Sequence, residues 1–124
     1  MNVSDLIGKT FDSVANIDNE RVRFHSEAGQ SYAMYHSQDC CEHVYLEDVC
    51  GDLADLENTP ILSASEDSSH DANPVGVSPP NDYTDDSFTW TFYNFRTIKG
   101  SVTLRWYGSS NGYYSESVDI YEVS

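Results

Sequence analysis

The sequence predicts a mainly β fold (α+β with minor helix), in which antiparallel meanders form a sandwich or a partly open barrel. Three observations predict it: short runs that alternate apolar and polar residues, polar turns between those runs, and abundant aromatic side chains. The 124 residues include nine Tyr, five Phe and two Trp. Because these supply enough apolar area for one core, we expect a single domain over residues 1–124.

The first third of the chain predicts a helical turn followed by three strands. "SDLIGKT" suits one turn of helix, with Ser4 as its N-cap and Gly8 at its end. "FDSVANI", "RVRFHS" and "SYAMYH" then read as strands joined by the polar turns "DNE" and "EAGQ". In the third of these strands Tyr32, Met34 and His36 share one face.

The middle of the chain predicts two strands around a short helix, followed by a loop. "CEHVYLEDV" alternates as a strand, with Val44 and Leu46 on one side. "GDLADLEN" suits a short helix with Asp52 as its N-cap, and "PILSASE" suits another strand. Residues 67–86 are rich in Ser, Asp, Asn and Pro without periodicity, which predicts a long exposed loop.

The last third predicts a three-stranded meander. Its strands are "SFTWTFYNF", "SVTLRWYG" and "YYSESVDIYEV", and its turns are "KG" and "SSNG". Alternation places Phe88, Trp90 and Phe92 on one face of the first strand, and we expect these three in the core together with Trp106.

The charge of the chain is strongly negative, with 21 acidic against 6 basic residues and a net charge of −15. Direct binding to nucleic acid is excluded, because contacts to phosphates need cations. A basic protein is the favoured partner. The 72 residues between Arg23 and Arg96 hold fourteen Asp or Glu and no Lys or Arg.

This acidic segment has two interpretations. One is a solvated surface that keeps the protein soluble, as in a salt-adapted host. The other is an acidic face that imitates a row of phosphates and occupies a basic nucleic-acid-binding surface on a host protein or nucleoprotein complex. The residues predicted for that face are Asp39, Glu42, Glu47, Asp48, Asp52, Asp55 and Glu57.

The cysteines and histidines give weak signals for chemistry. Three cysteines, of which two are adjacent, make a poor disulfide framework and are expected to stay reduced. A structural zinc site would draw on His36, Cys40, His43 and Cys50, but their spacing does not form two ligand pairs, so we expect no cofactor. Nucleophile, phosphate-loop and dinucleotide motifs are missing, and we expect no enzymatic activity.

A small-ligand binding module is the alternative from a different functional class. Aromatic rings beside cations suit a planar anion such as a nucleotide. The residues of the aromatic C-terminal segment proposed for this site are Tyr93, Arg96, Arg105, Tyr107 and Tyr113. A metal-stabilised structural module is the third hypothesis.

No apolar run approaches the ~20 residues that cross a bilayer. The start, "MNVSDLIGKTF", lacks the basic-then-apolar order of a signal peptide. We therefore expect a soluble protein in the cytoplasm, without contact to a membrane.

Several runs resemble those of a family of small acidic proteins encoded by bacteriophages and prophages, to which no activity is assigned. They are H-x-Q-D-C-C-E, G-D-L-x-D-L, T-W-T-F-Y and R-W-x-G-x-S-N-G-Y-Y-S-E, and the likeness covers most of the chain except the loop near residues 67–86. This resemblance implies a bacterial host cell as the setting. It also implies an inhibitor of host defence, of the anti-CRISPR or anti-restriction type, that acts by protein–protein binding.

Overall fold

The computed structural model describes residues 2–37, 42–70, 87–110 and 115–123. Two 3-10 turns of four residues lie at Val3–Leu6 and Leu53–Leu56. The described strands are β1 (Ser13–Ile17), β2 (Arg21–His25), β3 (Ser31–Tyr35), β4 (His43–Cys50), β5 (Ser63–His70), β6 (Ser87–Thr97), β7 (Gly100–Ser110) and β8 (Asp119–Val123).

The strands form two four-stranded antiparallel sheets. The first sheet has the order β1-β2-β3-β8 and the second the order β4-β7-β6-β5. The predicted mainly β class is confirmed, and of the two architectures the structure has the sandwich, because the sheets do not close into a barrel. The expected short helices are 3-10 turns, and the described residues include no helix long enough to cross a membrane.

The core lies between the two sheets. Val22, Phe24 and Met34 of the first sheet are fully buried, as the alternation in "RVRFHS" and "SYAMYH" predicted. The rings of Phe24 and Phe95 meet across the sandwich with their centroids 5.7 Å apart. On β7, Leu104 is likewise buried in the core.

The last strand does not close the meander that the sequence predicts. β8 pairs with β3 of the first sheet, where Ile120 lies opposite Met34. The physical reason is that β7 is already hydrogen-bonded on both sides, to β4 and to β6. No edge of β7 is left for β8, and Ile120 is buried against the first sheet's side of the core instead.

The face of β6 that packs in the core is not the predicted one but the opposite one. Tyr93 and Phe95 belong to the core cluster together with Trp106, whereas Trp90 lies on the outer face of the second sheet. Trp90 is nevertheless fully buried, and its ring centroid lies 4.8 Å from that of Tyr107. Both faces of this strand carry aromatic rings, so alternation alone does not identify the inner one.

The strand β5 is longer than the sequence indicates. It continues through residues 67–70, which the sequence places at the start of the long loop, and each pairs with a residue of β6. The remainder of that loop, residues 71–86, lies outside the described residues, as does the Asn111–Gly112 turn.

Candidate functional site

The structure does not gather the predicted acidic residues into one patch. Glu42 directly precedes β4, and Asp52 follows its end. Eight residues of extended chain span roughly 26 Å, so the two carboxylates lie at opposite ends of the sandwich. Asp39 falls outside the described residues. The set predicted as a single face therefore divides into three groups along β4.

The first group is Glu42, which is engaged inside the protein. Its Oε1 lies 3.1 Å from Nε2 of His36, and the two side chains are 0% and 4% exposed. Because this carboxylate is buried, neither solvent nor a binding partner reaches it. Its role beside the imidazole is therefore structural.

The second group is Glu47 and Asp48, which both form ion pairs with Arg105. The register of β4 against β7 shifts between Leu46 and Asp48, so two consecutive carboxylates face Arg105. Its Nε donates to Glu47 at 2.6 Å and its Nη2 donates to Asp48 at 3.4 Å. The hydrogen bond that Arg105 donates to Glu47 is the main cause that raises the pKa of Arg105.

The third group surrounds the second 3-10 turn, where the carboxylates of Asp52 and Glu57 accept backbone N–H groups. The Asp52 side chain accepts from the Ala54 N–H, as the sequence predicted for an N-cap. Glu57 Oε2 accepts from the Val14 N–H at 2.9 Å, and the Glu57 carbonyl accepts from Lys99 Nζ at 2.8 Å. The half-exposed Asp55 lies at the turn between β6 and β7, where Oδ2 is close to Gly100.

A different acidic surface is formed by the two edge strands on one side of the sandwich. Each sheet ends there in a strand with a single partner, β5 in the second sheet and β8 in the first. Both strands carry exposed carboxylates. We call the exposed carboxylates of these two edge strands the acidic margin and define it as Glu66, Asp67, Asp119 and Glu122, of which Glu66 and Asp119 line one groove.

A groove of about 220 Å³ joins the two strands of the acidic margin. Glu66 and Asp119 line it from the two sheets, and Tyr93 lies between them. The buried Tyr93 hydroxyl donates to the Val118 carbonyl at 2.9 Å. Burial first, and then the Glu66 carboxylate, raise the pKa of Tyr93 far above its usual value. The sequence shows these carboxylates in two strands but not that both strands line one groove.

No cation of the described residues pairs with the acidic margin. The ion pairs of the described part of the chain involve Glu42, Glu47 and Asp48 only. Asp67 accepts from the Asn94 amide and Asp119 from the Tyr121 hydroxyl, each at 3.3 Å. The carboxylates of the margin are therefore exposed to solvent without a described cation beside them.

The residues proposed for a planar ligand are not brought together. Tyr93 faces the core, while Arg105 and Tyr107 lie on the outer face of the second sheet. Tyr107 is 3% exposed, and Arg105 is held by two carboxylates. Arg96 is exposed on the same outer face, and Tyr113 lies outside the described residues.

The weak zinc candidates are also separated. His43 and Cys50 are the two ends of β4, roughly 23 Å apart along an extended strand. Both ring nitrogens of His36 are occupied, by Glu42 and by the Ser117 carbonyl. Cys40 lies outside the described residues. Within the described ranges, no three His, Cys, Asp or Glu side chains converge as metal ligands.

Comparison with known proteins identifies a family for this chain. Residues 4–120 match the model of a family described as a domain of unknown function, DUF7448. No curated protein and no solved structure matches the chain.

Proposed function

The chain belongs to the DUF7448 family, and we propose that it is a non-catalytic binding protein whose acidic margin engages a basic surface of another protein. The observation that carries this proposal is that exposed carboxylates of two edge strands flank one groove with no described cation paired to them. A partner that supplies Lys or Arg side chains would neutralise them.

The balance of exposed charge supports the same conclusion. Eleven carboxylates are exposed among the described residues, against four of the six Lys and Arg. A surface of this sign accelerates association with a basic partner and repels acidic ones. Charge on edge strands also discourages strand-to-strand aggregation, so the margin would select a partner by charge rather than by extending a sheet.

The partner class that we propose is a nucleic-acid-binding protein or nucleoprotein complex of a bacterial host. Its Arg and Lys side chains normally hold phosphates, and the carboxylates of the margin would compete for them. The phage-type resemblance of the sequence suggests an anti-defence inhibitor of the anti-CRISPR or anti-restriction kind, acting in the host cytoplasm.

Affinity capture at two salt concentrations tests the proposal. The purified protein is immobilised, exposed to bacterial host lysate at about 0.1 M and about 1 M salt, and the captured proteins are identified by mass spectrometry. The Debye length falls from about 10 Å to about 3 Å between these conditions, so a charge-driven partner is retained only at the lower one. We expect that partner to be basic and to be released by added DNA.

Two charge-matched variants locate the surface. Glu66→Lys with Glu122→Lys reverses two exposed carboxylates of the margin, and we expect capture to be lost. Glu20→Lys with Glu27→Lys makes the same change in net charge at exposed positions elsewhere, and we expect capture to be retained. Equal loss in both variants would show that net charge alone is responsible, and full retention in the first would refute the role of the margin.

A further inference from the structure

Three nitrogen-bearing side chains form a row on the outer face of β2. Val22 and Phe24 of this strand are fully buried, so Arg21, Arg23 and His25 point away from the core. Neighbours in the row are roughly 7 Å apart, the spacing of alternate residues in a strand. Both arginines are exposed and His25 is half-buried. Two of the six Lys and Arg of an acidic chain are thus concentrated on one short strand.

Small neighbours turn this row into a groove. Arg23 lies opposite Ala15 on β1 and Ala33 on β3. Because alanine side chains leave space beside longer ones, a groove of about 330 Å³ opens along β2. Its lining includes all three residues of the row together with Gln30 and Ser31, and no Asp or Glu among the residues that the structure describes.

Aromatic packing holds one end of the row in place. The Arg21 guanidinium carbon lies 4.6 Å from the centroid of the Tyr35 ring, and that ring lies 4.7 Å from the ring of Tyr121. Stacking on an aromatic face limits the rotamers of an arginine while its N–H groups stay available. Among the described residues Arg21 and Arg23 have no carboxylate partner. Asp18 and Glu20 line an adjoining pocket, which shares Ile17 and Arg21 with the groove.

We propose that this groove binds a small phosphate-bearing anion. Two guanidinium groups, an imidazole and an amide on one concave surface supply donors that match the oxygens of a phosphate group. The Ser31 hydroxyl beside them is already engaged, 3.3 Å from the Ser26 carbonyl oxygen and 3.4 Å from His25 Nδ1. The volume lies at the lower end of the range for small-molecule sites, which suits a ligand no larger than a mononucleotide. An extended polyanion does not fit, because beyond the groove it would meet the carboxylates of a chain with net charge −15.

Calorimetric titration of the whole protein tests the inference. The ligands are inorganic phosphate, pyrophosphate and ADP, with adenosine as the uncharged control. We expect the phosphate-bearing ligands to bind and adenosine not to bind. Arg23→Gln should weaken binding by about tenfold or more. Arg96→Gln removes the same charge from an exposed arginine of the second sheet and should change the affinity by less than about twofold.

A second variant blocks the groove without removing an arginine. Gly29 lines the groove, and a Cβ at this position would lie 3.5 Å from Ser26 Oγ, an ordinary contact. Gly29→Glu should therefore fold as the parent does, with an unchanged thermal transition, and should lose phosphate binding because it places a carboxylate among the donors.

The results of these titrations can be told apart from those of the capture experiments on the acidic margin. Absence of binding by all three phosphate-bearing ligands overturns the inference, and so does an equal loss of affinity in Arg23→Gln and Arg96→Gln. Tighter binding of a short polyglutamate peptide than of pyrophosphate would assign the groove to acidic peptides and also overturn it. Because the Glu66 and Glu122 variant leaves the groove intact, failure of one proposal leaves the other standing.

Discussion

His36 connects Glu42 to Ser117 through its two ring nitrogens. Nδ1 lies 2.6 Å from the Ser117 carbonyl and Nε2 lies 3.1 Å from Glu42 Oε1. A carbonyl oxygen only accepts, so Nδ1 carries a proton and donates it. One imidazole thus fixes the end of β3, the chain before β4 and the chain before β8 relative to one another.

Removal of Glu42 is expected to destabilise the fold. Glu42→Ala leaves a buried imidazole without its carboxylate, and loss of one partner of a buried pair costs about 3–5 kcal/mol. Glu42→Gln keeps a hydrogen-bonding oxygen and should cost less. Urea denaturation measures the free energy of unfolding of both variants. The control is Glu27→Ala at an exposed position, whose free energy of unfolding should lie within about 0.5 kcal/mol of the parent's. A Glu42→Ala protein as stable as the parent would contradict a structural role for the pair.

The two carboxylates that hold Arg105 should contribute unequally. Glu47 accepts at 2.6 Å and is 24% exposed, while Asp48 accepts at 3.4 Å and is 49% exposed. Double-mutant cycles with Arg105→Gln should give a coupling of about 1 kcal/mol for Glu47→Gln and only a few tenths, roughly 0.2–0.4 kcal/mol, for Asp48→Asn. High salt should lower the smaller value further. A larger coupling for Asp48 would contradict the geometry of the bulge.

Gly108 should not tolerate a side chain, because the backbone of another segment approaches it closely. A Cβ there would lie 2.8 Å from the Glu116 carbonyl oxygen and 3.1 Å from Val44 Cγ2. Gly108→Ala is expected to cost about 1–3 kcal/mol through overpacking. The matched control is Gly29→Ala, which should be neutral or stabilising by up to about 1 kcal/mol. Thermal denaturation of both variants separates the two effects, and equal midpoints would refute the close approach.

The Cys50 thiol should react slowly with alkylating reagents. Partial burial and then the charge of Asp48 raise the pKa of this thiol, and its S–H donates to Asp48 Oδ2 at 3.7 Å. A raised pKa lowers the thiolate fraction at a given pH, and the thiolate is the nucleophile. Iodoacetamide should therefore modify Cys50 more slowly in the folded protein than in urea.

Substitution of Asp48 tests the cause of that low reactivity. Asp48→Asn should accelerate alkylation, because one cause of the raised pKa is removed while Arg105, which lowers it, remains. The control is Asp67→Asn, which changes the same charge on the opposite edge strand of the second sheet. Mass spectrometry of the peptide that contains Cys50 measures the rate, and identical rates in all three proteins would exclude the Asp48 effect.

Some local patterns in the sequence predict local structure correctly, although the first 3-10 turn is capped by Asn2 and not by the predicted Ser4. Val22 with Phe24, and Leu104 with Trp106, alternate along their strands, and all four face the core, as expected for Trp106. The Asp52 cap is likewise visible in "GDLADL", because capping depends on residues within one turn. These features need no knowledge of distant parts of the chain.

The features that the sequence does not reveal depend on distant partners. The pairing of β8 with β3 follows from the saturation of β7, which only the assembled second sheet defines. Glu42 looks like one more surface carboxylate until His36 is placed beside it, and only the assembled fold brings Glu66 of β5 and Asp119 of β8 to one groove. A charge count identifies an acidic protein, but the position of each carboxylate is a tertiary property.

Trp90 and Trp106 occupy opposite faces of the second sheet, which gives the protein two independent fluorophores. Trp106 belongs to the core between the sheets, whereas Trp90 packs in the outer layer beside Tyr107 with the Arg105 guanidinium 5.6 Å from its ring. A variant that retains only Trp106 reports when the two sheets separate, and one that retains only Trp90 reports when the outer layer loosens. Emission spectra can thus reveal whether the halves of the molecule melt in one step or in sequence.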